Sequence, residues 1–65
     1  MTEEEIEDEI VNRYFHGISL SRNGFSEQKI VDWTECKILL EELVERGIKL
    51  EGYFGRIYKR VSKLI

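Results

Sequence analysis

Only one cysteine (Cys36) and one histidine (His16) occur in this chain of 65 residues. A chain this short has a small core, and most such domains need a disulfide, a structural metal or a partner chain. One cysteine cannot form an internal disulfide, and these two residues cannot supply the ligands of a zinc site. The sequence therefore predicts no metal and no cofactor, and it favours tight local packing or a homodimer.

The same sequence disfavours whole classes of protein. No apolar run approaches the ~18 residues of a membrane span, so we expect no membrane partner. The acidic N-terminus lacks signal-peptide character, and an unpaired cysteine suits a reducing compartment, so we predict a cytoplasmic protein. With one histidine and no glycine-rich phosphate loop, the chain is predicted not to be an enzyme.

Charge is distributed unevenly along the chain. The formal net charge is -3, but residues 1–10 contain six acids and no base, whereas residues 46–65 contain six bases and one acid. A basic segment at the end of an acidic chain is typical of a surface for an anionic partner. The alternative is that the two charged ends only face each other or solvent.

The first helix is predicted over residues 3–15. Thr2 and Glu5 match the capping-box pattern at its start, and Gly17 is predicted to end it. Residues 18–20 are then predicted to form a short strand. The helix has one apolar stripe at three- and four-residue spacing, which consists of Ile6, Ile10, Val11 and Tyr14.

Two further helices are predicted, with a break near residues 32–34. Ser26 is a suitable N-cap for a short helix over residues 27–32. Thr34 is a suitable N-cap for the longer helix that follows. The alternative is one continuous helix over residues 27–46, because the apolar stripe continues through the break.

The longer of these helices is predicted to end at Gly47. Trp33, just before it, is predicted to anchor the core at the corner between helices. One face of the longer helix is predicted to be buried, with Cys36, Leu39, Leu40, Leu43 and Val44.

Residues 48–61 are predicted to form a β-hairpin. Polar and apolar residues alternate over residues 48–51 and over residues 56–61. Gly52 and Gly55 give the chain between them the freedom that a tight turn needs. The register predicts two cross-strand pairs. One is apolar, Leu50 with Ile57, and the other joins opposite charges, Glu51 with Arg56.

Residues 39–48, together with the order of the elements, carry a resemblance to a known family. A leucine-rich third helix that ends in Arg46 and Gly47 and enters a strand is similar to many winged helix-turn-helix proteins. The resemblance implies an α+β fold in a single domain over residues 1–65, a small winged helix with three helices and a C-terminal β-hairpin wing. It also implies that the third helix takes the recognition position and that the wing contacts DNA.

The resemblance and the basic C-terminal segment together predict a small DNA-binding protein, a transcription regulator that uses a basic aromatic wing on double-stranded DNA. Arg56, Tyr58 and Arg60 are predicted to point outward together on one wing strand. Alternatively, these cations only solubilise the hairpin and protect its edge. The predicted nucleic-acid contacts are Lys37, Lys49, Tyr53, Phe54, Arg56, Tyr58, Lys59, Arg60 and Lys63.

The exposed face of the predicted third helix favours a different partner. Four glutamates surround Ile38 there, and Lys37 is the only cation, so DNA phosphates would be repelled. The alternative function is a winged-helix module that binds a protein partner without binding DNA. The predicted partner contacts are Ile38, Glu41, Glu42, Glu45, Leu64 and Ile65.

Overall fold

Three helices account for most of the computed structural model, which describes residues 1–64 and, for Leu64, the backbone alone. They are α1 (Glu3–Arg22), α2 (Ser26–Glu45) and α3 (Gly52–Leu64). Within residues 1–64 there is no β-strand. The predicted α+β winged helix is therefore wrong, because the segment assigned to its wing is α3.

Helix α1 begins as the sequence predicts. The Thr2 hydroxyl oxygen accepts a hydrogen bond of 3.2 Å from the Glu5 backbone N–H, and the Glu5 carboxylate accepts one of 3.0 Å from the Thr2 backbone N–H. The capping box is thereby confirmed. The hydrogen bonds from Thr2 lower the pKa of Glu5 because they favour its charged form.

Helix α1 does not end at Gly17, and the strand predicted over residues 18–20 is helical. Gly17 is buried inside the helix, where a Cβ atom would lie 2.6 Å from Cδ1 and Nε1 of Trp33. The glycine is needed for close helix packing rather than for a stop. The helix ends instead at Arg22, with Asn23 as its C-cap, and Gly24 follows with a φ of 85°.

Helix α2 is continuous, so the predicted break near residues 32–34 is wrong and the alternative of one helix is confirmed. The Thr34 hydroxyl donates to the Ile30 carbonyl oxygen at 2.7 Å, which is a bond inside a helix and not a cap. Ser26 is the first helical residue and does not cap it. The helix ends where predicted, because Gly47 has a φ of 85° and Ile48 N–H donates to the Leu43 carbonyl oxygen at 3.1 Å.

Helix α3 replaces the predicted hairpin because its apolar residues follow the helical period better than the strand period. They are spaced at i, i+3, i+4 and i+7, which places them on one face of a helix. The predicted cross-strand pairs of Leu50 and Glu51 consequently do not form. The apolar face of α3 consists of Phe54, Ile57, Tyr58 and Val61.

One core joins the three helices. The buried stripes predicted for residues 3–15 and 34–47 are largely confirmed, and Trp33 is buried as expected. Val44 is an exception, since half of its surface is exposed. The buried apolar residues are Ile6, Ile10, Tyr14, Trp33, Cys36, Leu40, Leu43, Ile57 and Val61.

A buried carboxylate adds polar contacts between α1 and α2. Asp32 accepts a hydrogen bond from Nδ1 of His16 at 2.6 Å and lies 3.5 Å from Nη1 of Arg13. His16 is exposed, and its partner is on the neighbouring helix. These contacts satisfy an acid that would be costly to bury alone. Among the described residues, no helix is both long enough and apolar enough to cross a membrane.

Gly17→Ala is expected to lower the free energy of unfolding by about 1–3 kcal/mol, because the new methyl group overlaps the Trp33 ring. The sign is informative, since the same change in an exposed helix interior stabilises by about 1 kcal/mol. Urea unfolding followed by circular dichroism measures the difference. Ser19→Ala, at an exposed position of α1, is the matched control and should cost nothing. Unchanged stability of the Gly17 variant would contradict this packing.

The Cys36 thiol should react slowly in the folded chain. Burial raises its pKa from 9.0 to about 11, and the Asp32 carboxylate adds to the shift. Because the folded pKa is the higher one, the stability linked to this thiol is present below pH 9.0 and is lost as the pH rises towards 11. Near neutral pH, alkylation by iodoacetamide should be at least about 100-fold slower in the folded chain than in guanidinium, as judged by mass spectrometry. Equal rates would contradict the burial.

Candidate nucleic-acid interface

Helix α3 has a basic side opposite its apolar face. Four cations lie at positions i, i+3, i+4 and i+7, which share one side of α3 and span about 10 Å along its axis. All four are exposed, whereas Ile57 and Val61 between them are buried. We call this surface the basic face of α3, and it consists of Arg56, Lys59, Arg60 and Lys63.

The charges of the basic face are not neutralised by nearby acids in the part of the chain that the structure describes. The ion pairs found among residues 1–64 all lie on α1 and α2 or at the end of α2, and none includes a cation of α3. Arg13, for example, is bound by Glu9 at 2.7 Å, which raises the pKa of the Arg13 guanidinium. The basic face therefore keeps its positive potential for a partner.

One cation of the basic face is held by the core. Nη1 of Arg60 donates a hydrogen bond of 3.1 Å to the phenol oxygen of Tyr14. The Tyr14 ring is in turn stacked on Trp33, with ring centroids 5.2 Å apart. The position of Arg60 is therefore coupled to the packing of α1 against α2.

An aromatic pocket of about 260 Å³ lies beside the basic face, between α1 and α3. Its open side has two exposed rings, since Phe15 is 53% and Tyr53 is 43% accessible. None of the residues that line it is acidic. Aromatic rings next to guanidinium groups can stack with nucleic-acid bases while the cations contact phosphates. The pocket is lined by Tyr14, Phe15, Ile18, Tyr53, Arg56, Ile57 and Arg60.

Phe15 is the site residue that sequence reasoning missed. The sequence does contain a signal for it. Phe15 directly follows Tyr14 and lies off the apolar stripe of α1, so its large ring is not needed for the core. Its relation to Tyr53 depends on α3 being a helix that packs beside α1. A hairpin assignment gives no reason to join the two aromatic residues.

The structure brings together some of the predicted nucleic-acid contacts and separates others. Arg56 and Arg60 share the basic face, but Tyr58 is half-buried on the apolar side, so the predicted outward trio is wrong. The reason is periodicity, because residues two apart share a face in a strand and not in a helix. The remaining predicted contacts lie elsewhere: Phe54 packs against the core, Lys37 is half-buried on α2, and Lys49 is in the loop between α2 and α3.

The predicted partner contacts on α2 do form one surface. Ile38 is 55% exposed. Together with three glutamates it lines a shallow depression of about 400 Å³. We call this surface the acidic face of α2, and it consists of Ile38, Glu41, Glu42 and Glu45. The predictions for the Leu64 side chain and for Ile65 lie outside what the structure describes.

Groups that carry catalytic or metal chemistry are dispersed in the fold. Among residues 1–64, no three His, Cys, Asp or Glu side chains are close enough together to hold a metal ion. Cys36 is buried, and its raised pKa keeps the thiol protonated near neutral pH. Comparison with known proteins gives no match to a protein-family model, a curated protein or a solved structure.

Tyr14→Phe should lower the free energy of unfolding by about 0.5–1.5 kcal/mol, because it deletes the acceptor for Arg60 and keeps the stacked ring. Thermal unfolding followed by circular dichroism measures the change. The control is Tyr53→Phe at an exposed position, which should have little effect on stability. Equal effects of the two variants would show that the Arg60–Tyr14 hydrogen bond does not contribute.

Proposed function

We propose that the chain is a small DNA-binding protein, of the kind that regulates transcription in the cytoplasm, and that it binds duplex phosphates through the basic face of α3. No wing takes part, because the segment is helical. The main support for this proposal is that four exposed cations share one side of α3, and none of them forms an ion pair with a carboxylate among residues 1–64. Phosphate binding is then favoured by counterion release.

The surroundings of the basic face support an anionic partner despite the net charge of -3. The acids of α1 belong to its first half, whereas Arg60 contacts α1 at Tyr14. The aromatic pocket next to Arg56 and Arg60 supports a nucleic acid over other anions, since the partly exposed rings of Phe15 and Tyr53 could stack on bases.

A second candidate function is a module that binds a protein partner through the acidic face of α2. Its support is the exposure of Ile38, an apolar residue, among three glutamates. A basic partner with one apolar contact residue fits such a surface. A homodimer also stays a prediction, and it is compatible with either function. The DNA titration below separates the candidates, because only the first requires the cations of α3.

Fluorescence anisotropy of a labelled DNA duplex should show binding that weakens steeply with salt. Four phosphate contacts give a slope of log Kobs against log salt of about -3.6, so affinity should fall about 100-fold between about 50 and 200 mM salt. Arg56→Gln with Lys63→Gln removes two contacts and should bring the slope to about -1.8. Arg60 is left unchanged in this variant because it also holds Tyr14.

The matched control is Arg22→Gln with Arg46→Gln, which removes the same charge from α1 and from the end of α2. It should keep the slope of the wild-type chain, and circular dichroism should show all three proteins folded. Equal loss of affinity in both double variants would mean that net charge, and not the basic face, attracts DNA. Lack of binding at the lower salt would exclude this function and leave the acidic face of α2 as the candidate.

A further inference from the structure

An open groove of about 540 Å³ lies where the end of α2, the following loop and the middle of α3 meet. Its volume falls within the range of ~300–1,000 Å³ that is typical of small-molecule sites. Three separate chain segments form its walls, which distinguishes it from a depression on a single helix. It shares one residue, Lys59, with the edge of the basic face of α3 and none with the acidic face of α2.

The floor of the groove consists of apolar residues that are only partly buried from solvent. Ile48, Leu50 and Tyr58 line it while packing partly against the core. Val44 also lines it and is 50% exposed, although the stripe of α2 predicts that it is buried. A ligand with an apolar chain would cover Val44 and remove its surface from water.

The only charged residues that line the groove are two lysines. Lys49 comes from the loop and Lys59 from α3, and both are exposed. No acidic residue lines the groove, and neither lysine belongs to an ion pair found among residues 1–64. An apolar floor with two cations is complementary to an anion that carries an alkyl chain.

We propose that this groove binds a medium-chain alkyl carboxylate. The alkyl chain packs on Val44, Ile48 and Leu50, and the carboxylate pairs with Lys49 and Lys59. Binding is reversible and involves no covalent step. The proposal does not depend on DNA binding, and its test contains no nucleic acid.

Titration of the ¹⁵N-labelled full-length chain with sodium octanoate tests the proposal by two-dimensional NMR. Chemical-shift changes should saturate with a Kd on the order of 1 mM and should be confined to amides around the groove. Octylammonium has the same chain with the opposite charge, and it should bind at least about threefold more weakly. Shifts spread over all exposed apolar residues, or equal binding of the two probes, would overturn the proposal.

Two variants locate the site. Lys49→Gln with Lys59→Gln should raise the Kd for octanoate about three- to tenfold, whereas Lys37→Gln with Lys63→Gln, which removes the same charge elsewhere, should leave it unchanged. Val44→Trp should abolish the groove shifts, because the larger side chain fills the groove from an exposed position. If both lysine pairs weaken binding equally, or if the Val44 variant folds and binds as wild type does, the groove is not the site.

Discussion

The contact between Trp33 and Gly17 is the interaction on which the rest of the structure depends. The indole covers the glycine so closely that a methyl group would overlap it. Its Nε1 donates to the Tyr14 carbonyl oxygen at 3.2 Å, and Nζ of Lys29 lies 4.2 Å from the ring centroid. The position of α2 along α1 is thereby fixed at one point by a large ring, a backbone acceptor and a cation. A chain with one cysteine needs such packing, because it has no internal disulfide.

The same contact extends to the surface where the proposed function lies. Tyr14 stacks on Trp33 with one face, and its phenol oxygen accepts the hydrogen bond from Arg60. Helix α3 completes the core with Ile57 and Val61, and this burial fixes which of its sides faces solvent. The exposure of the basic face is therefore a consequence of core packing. When the apolar side of α3 packs into the core, the opposite side with its four cations faces solvent.

The sequence predicted two helix-terminal signals and most of the buried stripes, but it missed the close contact between helices and the helical form of the C-terminal segment. The capping box at Thr2 and the stop at Gly47 need only neighbouring residues, and both were predicted correctly. Gly17 was taken as a helix end, because close approach by a distant tryptophan leaves no local signal. Residues 52–55 were predicted to be a turn because glycines stand at both ends of this segment, but Gly52, with a φ of 58°, begins a helix instead. The resemblance to a winged helix, carried by residues 39–48 and the order of the elements, needed that turn for its hairpin wing.

Replacing the hairpin by a helix changes what the cations of the C-terminal segment can do. In a strand, Arg56 and Arg60 share a side with Tyr58, which gives two cations on one surface. In α3, Tyr58 turns to the core side, and Lys59 and Lys63 join the two arginines, so one exposed surface carries four cations. Electrostatic attraction to a polyanion grows with each neutralised phosphate. Helix α3 therefore attracts an anionic partner more strongly than the predicted wing would, because four cations instead of two share one surface.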